Sequence, residues 1–234
     1  MICGQPPMPD GTPELALYLP RRWPRGHGPL RVRWLDGDAS LHRRIEAIEA
    51  GPEGWSSASA LGFVFVDDAD VEIQATFQPG PSWSYVGEYP QLSGRPTMNL
   101  ALLPSASDDD VRRVWLHEAG HALGFEHEHA TAAAVAAIPW DFDEVQRWCL
   151  ENGVAYEQWQ LQWVRWPLGT DVVDHVYVDE ESIMFYYVPA RWVKDRRARG
   201  ARNRLSPGDR GRVRDLYGAA SGWTELRFPF AANN

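Results

Sequence analysis

The sequence predicts an α+β fold: a twisted mixed sheet with one long site-bearing helix in an N-terminal lobe, a mostly irregular and helical C-terminal lobe, and a cleft between them. Three observations predict it. Short apolar segments rich in β-branched and aromatic residues recur at strand spacing between residues 31 and 103. An apolar stripe at helical spacing (Val111, Val114, Trp115, Ala119, Ala122) then runs into Gly124. Beyond residue 127 the pattern turns helical and irregular.

In chain order, residues 1–29 are rich in Pro and Gly and read as an irregular leader or short pro-segment, followed by a single domain over 30–234, with lobes of about 30–127 and 128–234. Residues 31–35 alternate as a strand does, and 41–50 repeat apolar positions as a helix does. Residues 61–66, 71–77 and 97–103 are the further strand candidates. Ser107 followed by Asp108, Asp109 and Asp110 is a helix start with acids at the positive end of the dipole. Helical patterns return over 142–150 and 156–166. A last helix spans 206–217, where Ser206 and Asp209 form a capping-box variant and Pro207 suits the first turn.

The densest chemistry lies at the end of the long helix, in the run His117-Glu118-Ala119-Gly120-His121-Ala122-Leu123-Gly124-Phe125-Glu126-His127. His117 and His121 are i and i+4, one turn apart on one face, and two imidazoles so placed can share an ion. A straight helix would carry His127 about 15 Å along the axis from His117, whereas a zinc–nitrogen bond spans only about 2.0–2.1 Å. The helix must therefore stop, and Gly124 can adopt the left-handed conformation that ends it and turns the chain back. Three neutral nitrogens leave a fourth position for water, the pattern of a catalytic zinc site. Glu118, beside the first ligand, is the candidate general base and acid. Three histidines, a glutamate and a glycine at five fixed positions arise by chance in about one chain of this size in a hundred thousand, so an accidental His-rich turn is the weaker reading.

These residues carry a family resemblance. The run resembles the metzincin pattern H-E-x-x-H-x-x-G-x-x-H, and Ser182-Ile183-Met184-Phe185-Tyr186 resembles the methionine turn that completes it. Within metzincins the sequence is most similar to the astacin family and its bacterial and fungal relatives, because Glu128 follows the third histidine and a tyrosine stands two residues after Met184. The resemblance extends over about residues 31–218. It implies one catalytic Zn2+ on His117, His121 and His127, Glu118 as base and acid, Met184 as an apolar floor, and a protein or peptide substrate paired along strand 97–103 as the rim of the cleft. It also implies that Tyr186 stabilises the oxyanion; Phe185 stands where a histidine is frequent, and Tyr187 offers a second phenol. His129, two residues past the last ligand, reads as a neighbour of the site or a solvated residue.

Bulk properties narrow the partners. A formal net charge of −9 speaks against nucleic acid, and no run of about 18 apolar residues is present to cross a bilayer. The first residues lack the basic and apolar regions of a secretory leader, leaving a secreted protein without its leader or a cytoplasmic one as alternatives. Only Cys3 and Cys149 occur. Cys149 reads as a buried helix residue. Cys3-Gly4-Gln5-Pro6 resembles part of the matrixin cysteine switch, in which a thiolate blocks the open zinc position, although the flanking Arg and Asp of that motif are missing. The alternatives are a free or a disulfide-linked terminal cysteine. The basic run between Arg191 and Arg204 reads as a solvated loop, or as a source of one arginine that favours acidic substrate side chains. The function expected is a zinc endopeptidase. A zinc-retaining binding or regulatory protein, or a zinc amidase, are the alternatives on the same fold.

Overall fold

The computed structural model describes residues 21–88, 95–164 and 178–220. A five-stranded mixed sheet has the order β2-β1-β3-β5-β4, formed by β1 (Leu30–Trp34), β2 (Phe63–Phe65), β3 (Ile73–Thr76), β4 (Trp83–Ser84) and β5 (Met98–Asn99). β1 pairs in parallel with β2 and β3, β3 in parallel with β5, and β4 closes one edge antiparallel to β5. In β1 the alternation is direct: Leu30 and Val32 are fully buried, while Arg31 points away and pairs with Glu72 at 3.1 Å.

Helix α1 (Ala39–Ala50) starts at Asp38, whose carboxylate accepts from Ser40 N at 2.8 Å. Its inward stripe is Leu41, Ile45 and Glu49. Glu49 is a buried carboxylate with its donors supplied: Ser56 N at 2.7 Å, Ser56 Oγ at 2.6 Å and Trp115 Nε1 at 2.9 Å. Burial pushes its pKa up, with those donors opposing. The contact ties α1 to α2 (Asp108–Ala122).

The described residues form two apolar cores. One lies between the sheet, α1 and α2 and includes Leu30, Val32, Ile45, Met98, Leu100, Trp115 and Met184. The other gathers Ile138, Trp140, Val145, Trp159, Trp163, Trp192 and Phe185 from α4 (Phe142–Asn152), α5 (Tyr156–Trp163) and the segments around them. Met184 and Phe185, adjacent in sequence, enter different cores. A short α3 (Ala132–Ala137) precedes α4, and α6 (Pro207–Tyr217) ends the described chain with a full capping box between Ser206 and Asp209.

Two expectations change. The strand expected at 97–103 is reduced to Met98–Asn99, and it is internal, with β3 on one side and β4 on the other. Leu100 and Leu102 stay buried beyond the strand, but Leu102 N turns to bond Leu100 O at 2.7 Å and the ladder ends. The sheet edge on this side is β4, so β5 within 97–103 is not the pairing rim. The helix expected over 156–166 ends at Trp163. Cys3 lies outside the described residues, as does most of the leader. No described helix is long and apolar enough to cross a membrane.

Candidate metal centre

Helix α2 is built as the sequence predicts. Ser107 caps it, accepting from Asp110 N at 3.1 Å, and three aspartates occupy the first turn. Val111, Val114, Trp115, Leu116 and Ala119 bury the inward face. Gly124 takes φ +97°, the left-handed region, and turns the chain out of the helix. The last carbonyls of a helix have no partner within it, and here the turn itself and distant groups meet them: Gly120 O is bonded by Phe125 N (3.0 Å), and His121 O by Gly124 N (2.7 Å) and, from a distant part of the chain, Gly87 N (2.9 Å). Ala122 O accepts from Trp23 Nε1 at 2.8 Å, and Leu123 O from the Tyr217 hydroxyl at 2.7 Å.

The turn returns His127 to the helix. Its Nε2 lies 3.3 Å from Nε2 of His117 and 3.0 Å from Nε2 of His121. Two nitrogens bound to one tetrahedral zinc at 2.0–2.1 Å stand about 3.3–3.4 Å apart, so these separations fit a shared ion with little adjustment. The opposite ring nitrogens are braced. Nδ1 of His117 donates to Ile183 O at 2.8 Å and Nδ1 of His121 to Phe125 O at 2.7 Å, which fixes the tautomer that leaves Nε2 free to bind. Burial lowers the His117 pKa to about 4 and that of His121 to about 3, and holds His127 well below the usual imidazole range. All three are therefore neutral near pH 7, as metal ligands must be. His129 is fully buried but lies to the side, its ring stacked on Tyr186 at 4.5 Å and tilted against Trp163 at 4.8 Å.

A cavity of about 280 Å3 opens beside the cluster, lined by His117, Glu118, Tyr186 and Tyr187 among others. Glu118 is itself 2% exposed. Tyr186 packs against His127 with ring centroids 4.0 Å apart, whereas Tyr187 is 55% exposed. Met184 is buried in a turn in which Phe185 N bonds Ser182 O at 3.1 Å and Glu128 N bonds Met184 O at 3.0 Å. Its sulfur lies against Gly120, between the two helical histidines: a Cβ on Gly120 would stand 2.4 Å from it.

The basic run between Arg191 and Arg204 is for the most part a solvated loop, its exposed arginines paired at the surface with carboxylates. Arg191 pairs with Glu144 and Glu151, Arg196 with Asp141, Arg197 with Glu180, and Arg204 with Glu53. Arg199 is buried between Glu180 and Asp195. Arg202, paired with Glu181, and Arg113 of α2, paired with Asp110, both line the cavity. Cys149 is a free, buried thiol in α4. Sequence reasoning missed the partner of Glu128: Arg212 grips its carboxylate with both terminal nitrogens, one at 3.0 Å. The pair spans 84 positions, and no local pattern announces it.

The mixed-sheet α+β fold and the three-histidine cluster define the class: the architecture is that of metzincin peptidases, and the cluster fits a metzincin zinc site. Among solved structures the chain is similar to myroilysin, at a TM-score of 0.74 and 26% identity over 86% of this chain and 97% of that one. A second myroilysin structure gives 0.61 and 25% over 92% and 90%. High choriolytic enzyme 1, a hatching enzyme zinc-protease from the medaka fish Oryzias latipes, shares the fold at a TM-score of 0.56 and 14% identity, over 86% of this chain and 96% of that one. No protein-family model and no curated protein matches the sequence.

Proposed function

We propose that the protein is a zinc-dependent endopeptidase that hydrolyses peptide bonds of proteins or peptides. The observation that carries the proposal is the convergence of three neutral imidazoles at ligand spacing beside a cavity-lining carboxylate. His117, His121 and His127 would hold the ion, which when bound supplies Lewis-acid polarisation and lowers the pKa of a water ligand to about 7. Glu118 takes the proton released from the attacking water and passes it to the leaving amine. Tyr186, packed against the ligand rings, donates its phenol hydrogen bond to the oxyanion. Met184 forms an apolar floor that excludes water from below the ligands. The open edge of β4, next to the cavity-lining Ser82, offers main-chain groups to an extended substrate. Arg113 and Arg202, arriving at the cavity from two separate elements, favour an acidic substrate side chain near the cleaved bond.

The test is cleavage of a denatured protein by wild type, by Glu118→Gln, and by wild type stripped with chelator and then reloaded. Glu118→Gln is expected to bind zinc as tightly as wild type and to lose about 10²–10⁴-fold in kcat. Stripping should abolish cleavage and zinc should restore it. A fully zinc-loaded wild type that cleaves no protein or peptide bond would point to a binding protein or an amidase instead.

A further inference from the structure

Helix α6 begins eighty residues after the last ligand, yet it bonds to the surroundings of all three. Asp209 accepts from Ile183 N at 2.9 Å and Ser182 Oγ at 2.6 Å, holding the turn whose Ile183 carbonyl braces His117. Tyr217 bonds Leu123 O, two residues past His121. Arg212 binds Glu128, the neighbour of His127. The first two contacts act on ligands already fixed by a helix. The third does not: His127 sits at the start of a single 3-10 turn, Glu128–Ala130, on a chain that has just left α2.

Glu128 is the knot of that loop. Its amide bonds Met184 O at 3.0 Å, its Oε1 accepts from Asp179 N at 3.0 Å, and both its oxygens face Arg212. The carboxylate side chain is 4% exposed and the arginine side chain 14%. A buried ion pair often contributes little net stability over an apolar pair of the same volume. What a bidentate guanidinium adds is direction, because its planar fork matches a carboxylate in one orientation.

We propose that Arg212 is a positioning residue for the metal centre: by clamping Glu128 it holds the ligand loop, and so His127, in register with His117 and His121. This rests on the zinc-site reading above but does not need the chemistry to be peptidase chemistry.

The experiment measures zinc affinity by competition with a chromophoric chelator, together with kcat and KM on a cleaved peptide, for wild type, Arg212→Gln, Arg212→Lys and the double variant Glu128→Gln/Arg212→Met. The double variant leaves no unpaired buried charge. Arg212→Gln is expected to weaken zinc binding about 10–100-fold, as loss of an outer-shell partner does, and to lower kcat with KM little changed. Arg212→Lys should recover part of the loss, because it restores charge without the fork. The double variant should fold and remain impaired. A double variant with wild-type zinc affinity would overturn the proposal, since removing the buried charge alone would then suffice. A double variant that fails to fold would also overturn it, making the pair a determinant of the fold. An inactive wild type would refute the peptidase reading alone, because zinc affinity still reports on Arg212.

Discussion

Replacing Gly120 by alanine sets two effects against each other at the centre of the site. In a helix interior the change ordinarily stabilises by about 1 kcal/mol. Here the new Cβ would stand 2.4 Å from Met184 Sδ and 3.2 Å from Trp55 Cζ2, where relaxed contact needs about 3.5–4.0 Å. The sulfur must move by about 1–1.5 Å. Its backbone cannot follow, because Met184 N is bonded to Ser182 Oγ at 3.0 Å and Met184 O to Glu128 N at 3.0 Å. Overpacking of this kind costs about 1–3 kcal/mol, so the net loss expected is about 0–2 kcal/mol. The sharper signature is coupling. Met184→Ala alone should cost about 2–5 kcal/mol through the cavity it leaves. In Gly120→Ala/Met184→Ala the clash has gone and the new methyl fills part of that cavity, so the double variant should be about 1–3 kcal/mol more stable than the sum of the two changes. Urea denaturation of the four metal-free proteins measures the cycle. Additivity within about 0.5 kcal/mol would refute the packing of Met184 on the ligand helix.

Two further outcomes are expected. The metal-free protein should lose stability as pH falls from about 6.5, the unfolded histidine value. The folded pKa is about 4 for His117 and about 3 for His121, so between these values and 6.5 the unfolded chain binds more protons, and unfolding is favoured. The loss from His117 alone is roughly 3 kcal/mol once pH is below its folded value; equal urea midpoints at pH 7.5 and 5 would contradict the burial of neutral imidazoles. Arg202→Glu reverses the charge at the cavity wall, and a peptide-library profile should then show acidic side chains near the cleaved bond disfavoured by about tenfold or more, with zinc affinity retained. A profile without acidic preference in either protein would remove Arg113 and Arg202 from substrate recognition.

The site was more legible in the sequence than the sheet that supports it, for a physical reason. His117, His121 and Gly124 act through local geometry, one helical turn and one left-handed residue, and such relations survive translation into spacing. Capping at Ser107 and Ser206 is local in the same way, and both helices start where those serines predict. β4 has two residues and therefore no period to read. The apolar alternation over 97–103 marks residues that are inside, Met98, Leu100 and Leu102, but Thr97 and Asn99 are buried too, and burial alone does not say whether a neighbour supplies a ladder. The Arg191–Arg204 run reads as solvated, and apart from Arg199 its arginines are exposed; their pairing is what spacing hides, because apart from Asp195 the carboxylates come from Glu53, Asp141, Glu144, Glu151, Glu180 and Glu181, elsewhere in the chain. Glu128 and Arg212 were unreadable as a pair on the same ground.

The arrangement of the two cores gives the metal a structural consequence as well. His117 and His121 belong to α2, packed on the first core, while His127 lies against Tyr186, whose ring faces Trp163 at 5.4 Å in the second. Holding three imidazoles neutral, His121 and His127 buried and His117 partly so, penalises the folded state whenever solution protons compete, and nothing in either core offsets that penalty directly. A shared ion does so, because it binds the folded arrangement and not the unfolded chain, and at a free concentration 100 times its dissociation constant it stabilises by about 2.7 kcal/mol. Since its ligands come from both sides of the Met184–Phe185 seam, that stabilisation acts on the contact between the cores rather than on either core alone. Zinc should therefore protect the amides of the 182–188 segment and the ligand loop from hydrogen exchange more than those at the centre of the sheet, and uniform protection would show that the ion does not bridge the seam.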